Sequence, residues 1–290
     1  MTAQTAEVHT PTIPYITVAE YKQHPTSINT DTLVPKGGPA QQDAELARII
    51  RQASAWCDRE ARQSLPAQPV TEQRAVQVDR QGRLLIHPSQ WPLLELRAVA
   101  YGVDPSAMTD ILDLSSVWID ASTAYVPLSG ASASFVGSIP VGWFGAIQGT
   151  TLLCRYTFLA GWPCTSLTAD AAQGSTVLQV RSCDGILPGM SLRVGTGNTE
   201  EDVTSVTASG TVMLASGLQS EQLAGQPVTA LPLDLVEAAV LVTTAFIKRR
   251  GTDALAMGAR SATAKMAGKT GPDDDLDLAR DILVNYEVIR

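Results

Sequence analysis

Three histidines (His9, His24, His87) and four cysteines (Cys57, Cys154, Cys164, Cys183) are the side chains of this chain best suited to metal or nucleophilic chemistry. Their spacing supports neither. No Cys-x-x-Cys pair occurs, so the pattern is not that of a zinc site, and widely spaced cysteines read as reduced, buried thiols. No Gly-x-Ser-x-Gly, His-Glu-x-x-His or Ser-x-x-Lys motif is present. His87, beside Pro88 at a strand end, reads as structural. The run Asp273 to Asp275 with Asp277 supplies carboxylates, but consecutive positions on a helix point in different directions and cannot converge on one ion. At a helix start they instead complement the positive end of the helix dipole. The sequence therefore predicts no catalytic residue, no metal and no cofactor.

The stretch "RVGTGNTEEDVTSV", Arg193 to Val206, opens with Gly195 and Gly197 after an apolar run, as a phosphate-binding loop does. It lacks the third glycine, the helix start and the Gly-Lys-Ser/Thr that would aim backbone N–H groups at a phosphate. Glu200, Glu201 and Asp202 would repel one, and the β-branched residues that follow favour a second strand, so a hairpin turn is the expectation. The tryptophans (Trp56, Trp91, Trp118, Trp143, Trp162) are scattered, which predicts core packing in place of an aromatic platform for a sugar.

A length of 290 residues allows one large domain or two modest ones, and a net charge of -8 argues against wrapping nucleic acid through phosphate neutralisation. The N-terminus lacks a basic region followed by an apolar core, and the longest apolar run, Ala238 to Phe246, is too short to cross a bilayer. The expectation is a chain that stays in the cytoplasm where it is made, with no membrane partner.

Thr17 and Glu20 have the spacing of a capping box, which predicts a short helix. "DAELARIIRQASAWCDREARQSL" carries Leu46, Ile49, Ile50, Ala53, Trp56, Cys57 and Ala61 at helical spacing, predicting an amphipathic helix that ends before Pro66. From Val70 the period changes to two, with a tight turn at Asp79 to Gly82, and five or more strands follow. Between Thr165 and Ala230, five short strands separated by turn pairs predict a small barrel or sandwich. "LPLDLVEAAVLVTTAFIKRRG" is apolar on nearly every side, predicting a helix buried all round, with Leu235, Val240 and Phe246 as bundle-packing residues. Residues 252–271 read as a loop or adaptable arm. A last helix carries Leu276, Ala279, Leu283 and Tyr286 along one stripe with no obvious mate in the chain. The fold class expected is α+β: a helical bundle body with a β-sheet region, formed by residues 1–164 and 231–290, and an inserted all-β module at 165–230.

The strand "CRYTFLAGWP", with Tyr156, Gly161 and Trp162, and the helix with Pro232, Asp234, Leu235 and Arg249–Arg250 resemble the head–tail connector (adaptor) proteins of long-tailed bacteriophages and gene transfer agents. In that family the two motifs follow closely; here residues 165–230 lie between them. The resemblance implies a structural virion protein of the neck, without an active site. It implies a ring, commonly dodecameric, beneath the portal protein and above a tail terminator or stopper, with double-stranded DNA passing through the lumen without specific binding. It also implies that the C-terminal stripe, Leu276 to Tyr286, docks on the portal or on a neighbouring subunit. Two alternatives remain at this point: a tail or baseplate glycan-binding protein, and a small cytoplasmic hydrolase using acidic residues.

Overall fold

A computed structural model describes residues 13–26, 28–120, 122–128, 149–196, 199–207, 209–250 and 272–287. The short helix α1 (Val18–Gln23) is set by its capping box: Glu20 N–H donates to Thr17 Oγ1 (3.2 Å) while Thr17 N–H donates to Glu20 Oε2 (2.6 Å). Helix α2 (Pro39–Glu60) starts with Pro39 in the first turn, where a missing N–H costs nothing. It ends at Glu60, before the predicted boundary, because Arg62 adopts a left-handed φ of 55°.

Seven strands then form one antiparallel sheet: β1 (Gln68–Val78), β2 (Arg83–Ile86), β3 (Leu93–Gly102), β4 (Met108–Ile111), β5 (Trp118–Asp120), β6 (Thr123–Pro127) and β7 (Thr151–Ala160). Their order is β4-β3-β7-β1-β2-β6-β5. The β1–β2 turn is locked by Asp79 Oδ1, which accepts from the N–H groups of Gln81 (2.8 Å) and Arg83 (2.9 Å). Alternate residues, among them Val76, Val78, Leu84, Ile86, Val126, Cys154, Tyr156 and Phe158, fill the concave face.

A second antiparallel sheet comprises β8 (Cys164–Ser166), β9 (Val177–Gln179), β10 (Ser191–Val194), β11 (Glu200–Val206), β12 (Thr211–Leu214) and β13 (Pro227–Thr229), in the order β8-β13-β10-β11-β12-β9. Its two edges are stitched together next to the Leu167–Val180 bridge, where Thr168 N–H donates to Gln179 O (2.8 Å) and Arg181 N–H to Ser166 O (3.0 Å). This sheet encloses its own apolar cluster, including Leu178, Leu192, Val203, Val212 and Val228. The sheets touch where the Gly185 turn, at φ 83°, lies so close to Ala67 that an added Cβ would fall 2.4 Å from the Ala67 methyl. Arg97 of β3 also reaches Asp184 (3.0 Å) across this contact.

Helix α3 (Leu233–Arg249), helix α4 (Pro272–Leu283) and a 3-10 turn (Val284–Tyr286) complete the described chain. The expectation of a helical bundle body is corrected here. Among the described residues the architecture consists mainly of two curled antiparallel sheets, with four α-helices packed beside them. The physical reason is length of pairing: β7 is matched along its whole length by β1 on one side and from Leu153 to Ala160 by β3 on the other. Helices α2, α3 and α4 bury one another over a single cluster.

Candidate functional site

The described histidines, cysteines and clustered acids do not converge on one site. Among the described residues no group of three or more His, Cys, Asp or Glu side chains is placed to hold a metal ion. His87 Nδ1 pairs with Thr123 Oγ1 (3.0 Å) at the end of β2, and His24 caps the C-terminus of α1. The four cysteines form no disulfide; burial pushes the Cys154 and Cys164 thiols up to about 12 and Cys57 further in the same direction, which disfavours the thiolate. Gly195 turns the chain after β10 with φ 77°, while Gly197 and Asn198 lie outside the described residues, as do the proposed arm 252–271, His9 and Trp143. Among the described residues no helix is long and apolar enough to cross a membrane.

The C-terminal stripe has its mate within the chain, which corrects the expectation of an unpartnered face. Leu276 (2% exposed), Ala279 (0%) and Leu283 (1%) pack into one cluster with Leu46, Ile49 and Ala53 of α2 and with Leu235, Ala238 and Val242 of α3. Val240 belongs to the same cluster and Phe246 packs against it, half-buried. A hydrophobic stripe at helical spacing names a face; it does not say whether the cover comes from the same chain.

Polar contacts fix α4 in that place. Lys248 Nζ pairs with Asp275 (2.7 Å) in a largely buried contact, and Arg249 pairs with Asp273 (2.8 Å). Two of the three acids of the run at the start of α4 thus answer the basic end of α3. At the far end, Tyr286 OH donates to both oxygens of Asp234 (2.8 and 2.7 Å), and Gln63 Nε2 donates to Tyr286 O (2.8 Å). Burial, aided by the Asp234 carboxylate, raises the Tyr286 phenol well above its ordinary value. The Tyr286 ring stacks on Trp91 (6.0 Å, 8°) and meets Trp162 edge-on (5.4 Å). Three aromatics scattered along the sequence therefore form one cluster at the end of β7.

The strand that ends at Gly161–Trp162 and the helix that opens after Pro232 also meet. Trp162 N–H donates to Leu65 O (2.8 Å), Ala230 N–H and Thr229 Oγ1 both donate to Pro163 O (2.9 and 3.0 Å), and α3 starts after Pro232. Gly161, at φ 106°, sits so close to the Leu65 carbonyl that an added Cβ would lie 2.6 Å from it. Glycine is required at this turn for both reasons.

Two clefts escaped the sequence reading. One, of about 390 Å³, lies between α1, the end of β10 and the start of α3; Glu20, His24, Leu233 and Glu237 line it beside Arg193, which is 8% exposed and donates to Leu231 O. The other, of about 260 Å³, opens at the end of the second sheet around Glu201. The signal in the sequence was Glu201, a charged residue two positions before Val203 on the inward side of β11.

No known protein family and no curated protein matches the chain. Among solved structures it is similar over 95% of its own length, and 91% of the other chain, to a protein described as "Neck of empty GTA particle computed with C6 symmetry", with 15% sequence identity and a TM-score of 0.37.

Proposed function

We propose that this chain is a structural protein of the neck of a phage-like particle, a head-to-tail connector that forms a ring beneath the portal and surrounds the path of the DNA. The observation that carries this reading is the junction at Pro163 and Ala230. The strand ending in Gly161–Trp162 and the helix opening at Pro232 are far apart in sequence and adjacent in space, held through the Pro163 carbonyl. With residues 165–230 set aside, the chain has the continuous strand-turn-helix of the connectors it resembles. Those residues are then an inserted module whose ends lie together.

A net charge of -8 suits a lumen along which DNA slides without adhering. The basic end of α3 does not contradict this, because Arg249 and Arg250 are engaged by Asp273 and Glu45. A ring requires one heterologous contact repeated until it closes. Tail-side partners are a terminator or stopper, and the work is mechanical, without a catalytic step.

Light scattering and negative-stain imaging of the purified chain test the proposal. The expected result is a closed ring with a central channel, dodecameric on the family pattern. A chain carrying a short Gly/Ser linker in place of residues 165–230 is expected to form the same ring with smaller subunits. A monomer at all concentrations, with or without the portal protein of the same particle, would sink the connector reading. A ring from the full chain but unfolded protein from the linker version would overturn only the insertion.

A further inference from the structure

Glu201 breaks the pattern of its strand. Side chains alternate along β11, and Glu201 stands opposite Leu192 of β10, which is fully buried, and two residues before Val203, which is also buried. Position 201 thus belongs to the inward face, where alternation calls for an apolar residue. A carboxylate occupies it with 4% exposure. Among the described residues its side chain receives one hydrogen bond, from Ser216 Oγ (2.5 Å), and forms no ion pair. A carboxylate held this deep is costly unless paired.

Glu201 is not sealed in. It lines the cleft of about 260 Å³ together with Thr196, Thr199, Glu221, Gln222 and Gln226. The Gln222 amide lies against Gly195, whose missing Cβ leaves it room, and Gln222 Nε2 donates to Ser220 Oγ (2.9 Å). The described lining is made of carboxylates, amides and hydroxyls with two aliphatic residues, Val194 and Leu218, and none of it is basic or aromatic. Such a wall accepts more hydrogen bonds than it donates and offers no flat ring for a sugar to stack on. Its volume is below that of sites for drug-sized ligands and suits one side-chain head group.

We propose that this cleft binds a basic side chain, arginine or lysine, presented by another protein chain, with Glu201 as the ion-pair partner at its floor and Glu221 at its rim. Arginine is the better fit, because a planar guanidinium can place two N–H groups on one carboxylate and others on neighbouring amide oxygens. The inference is independent of the connector reading: any partner with an exposed arginine at its contact surface meets the chemistry.

Saturation-transfer NMR on the intact protein tests it, with N-acetyl-arginine amide as ligand, N-acetyl-citrulline amide as its uncharged isostere and glucose as a neutral sugar. The expected result is saturable transfer to the arginine compound alone. Affinity should fall roughly tenfold in Glu201→Gln, where a charge-assisted contact is lost, and roughly two- to fivefold in Glu221→Gln. Glutamine keeps the shape and the Ser216 hydrogen bond, and Glu221 is exposed, so the second variant decides the matter if the first does not fold. Equal transfer to citrulline, arginine binding unchanged in the folded variants, or saturable glucose binding in place of arginine would each overturn the proposal.

Discussion

Asp58 fastens three segments through one oxygen atom. Its Oδ1 accepts from Tyr15 OH (2.6 Å), which anchors the start of the described chain, and from Leu65 N–H (2.9 Å), which leads into the first sheet. Burial pushes its carboxyl up to about 6 in spite of those two donors. A carboxyl raised in the folded state holds its proton longer there than in the unfolded chain. Its contribution is therefore fully present below pH 3.8 and is lost as pH rises through about 6. The difference amounts to at most about 3 kcal/mol. Asp58→Asn keeps an oxygen acceptor without the charge, so denaturant titrations should show stability falling less steeply between these limits than in the parent, and a higher stability at pH 7.5. Glu20, also raised by burial, leaves a residual slope in the same direction. An unchanged profile in Asp58→Asn would mean that the carboxylate is solvated. Nothing in the sequence singled out Asp58: it lies on the charged side of an amphipathic pattern, and its burial arises from Tyr15, which lies well before it in the chain.

Among the elements, those stabilised by their own residues were the legible ones. The Thr17–Glu20 capping box and the Asp79–Gly82 turn are short-range devices, and both stand where their spacing predicts. Strands β4 and β8 were not legible, because Met108–Ile111 and Cys164–Ser166 are short and lack clear alternation; pairing with β3 and β13 makes them strands. Helix α4 lies between these cases. Its stripe was evident, but its cover was not, since α2 and α3 approach it from distant parts of the chain. This position sets what truncation after Gly271 should do. Removing α4 uncovers the α3 face that Leu276 and Leu283 bury and leaves Lys248 without Asp275, so a loss of about 4 kcal/mol or more is expected from the two leucines alone. Thermal unfolding by circular dichroism should show a melting temperature well below the parent's, with a broadened transition. Parent-like melting of the truncated chain would mean that α4 contributes nothing to the fold and is available to a partner.

On the scale of the whole molecule, the sequence separated helical ends from a strand-rich middle but misjudged which part forms the body. Local periodicity reports the type of an element and not its neighbours, so the placement of β7 between β1 and β3 could not be read from it. The Trp91, Trp162 and Tyr286 cluster was hidden for the same reason: each aromatic is unremarkable in its own segment, and only the fold assembles them. Pro163 and Ala230 meet across the proposed insert, whose bounds were drawn from the turn-forming and helix-starting residues on either side of it. The proposed role rests on that junction, and the most direct measurement is electron cryomicroscopy of assembled particles that contain this chain. The account predicts a ring of copies between the portal and the tail, with the strand-turn-helix unit continuous at each junction. Density for the chain at the tail tip or baseplate, or particles complete without it, would contradict the account.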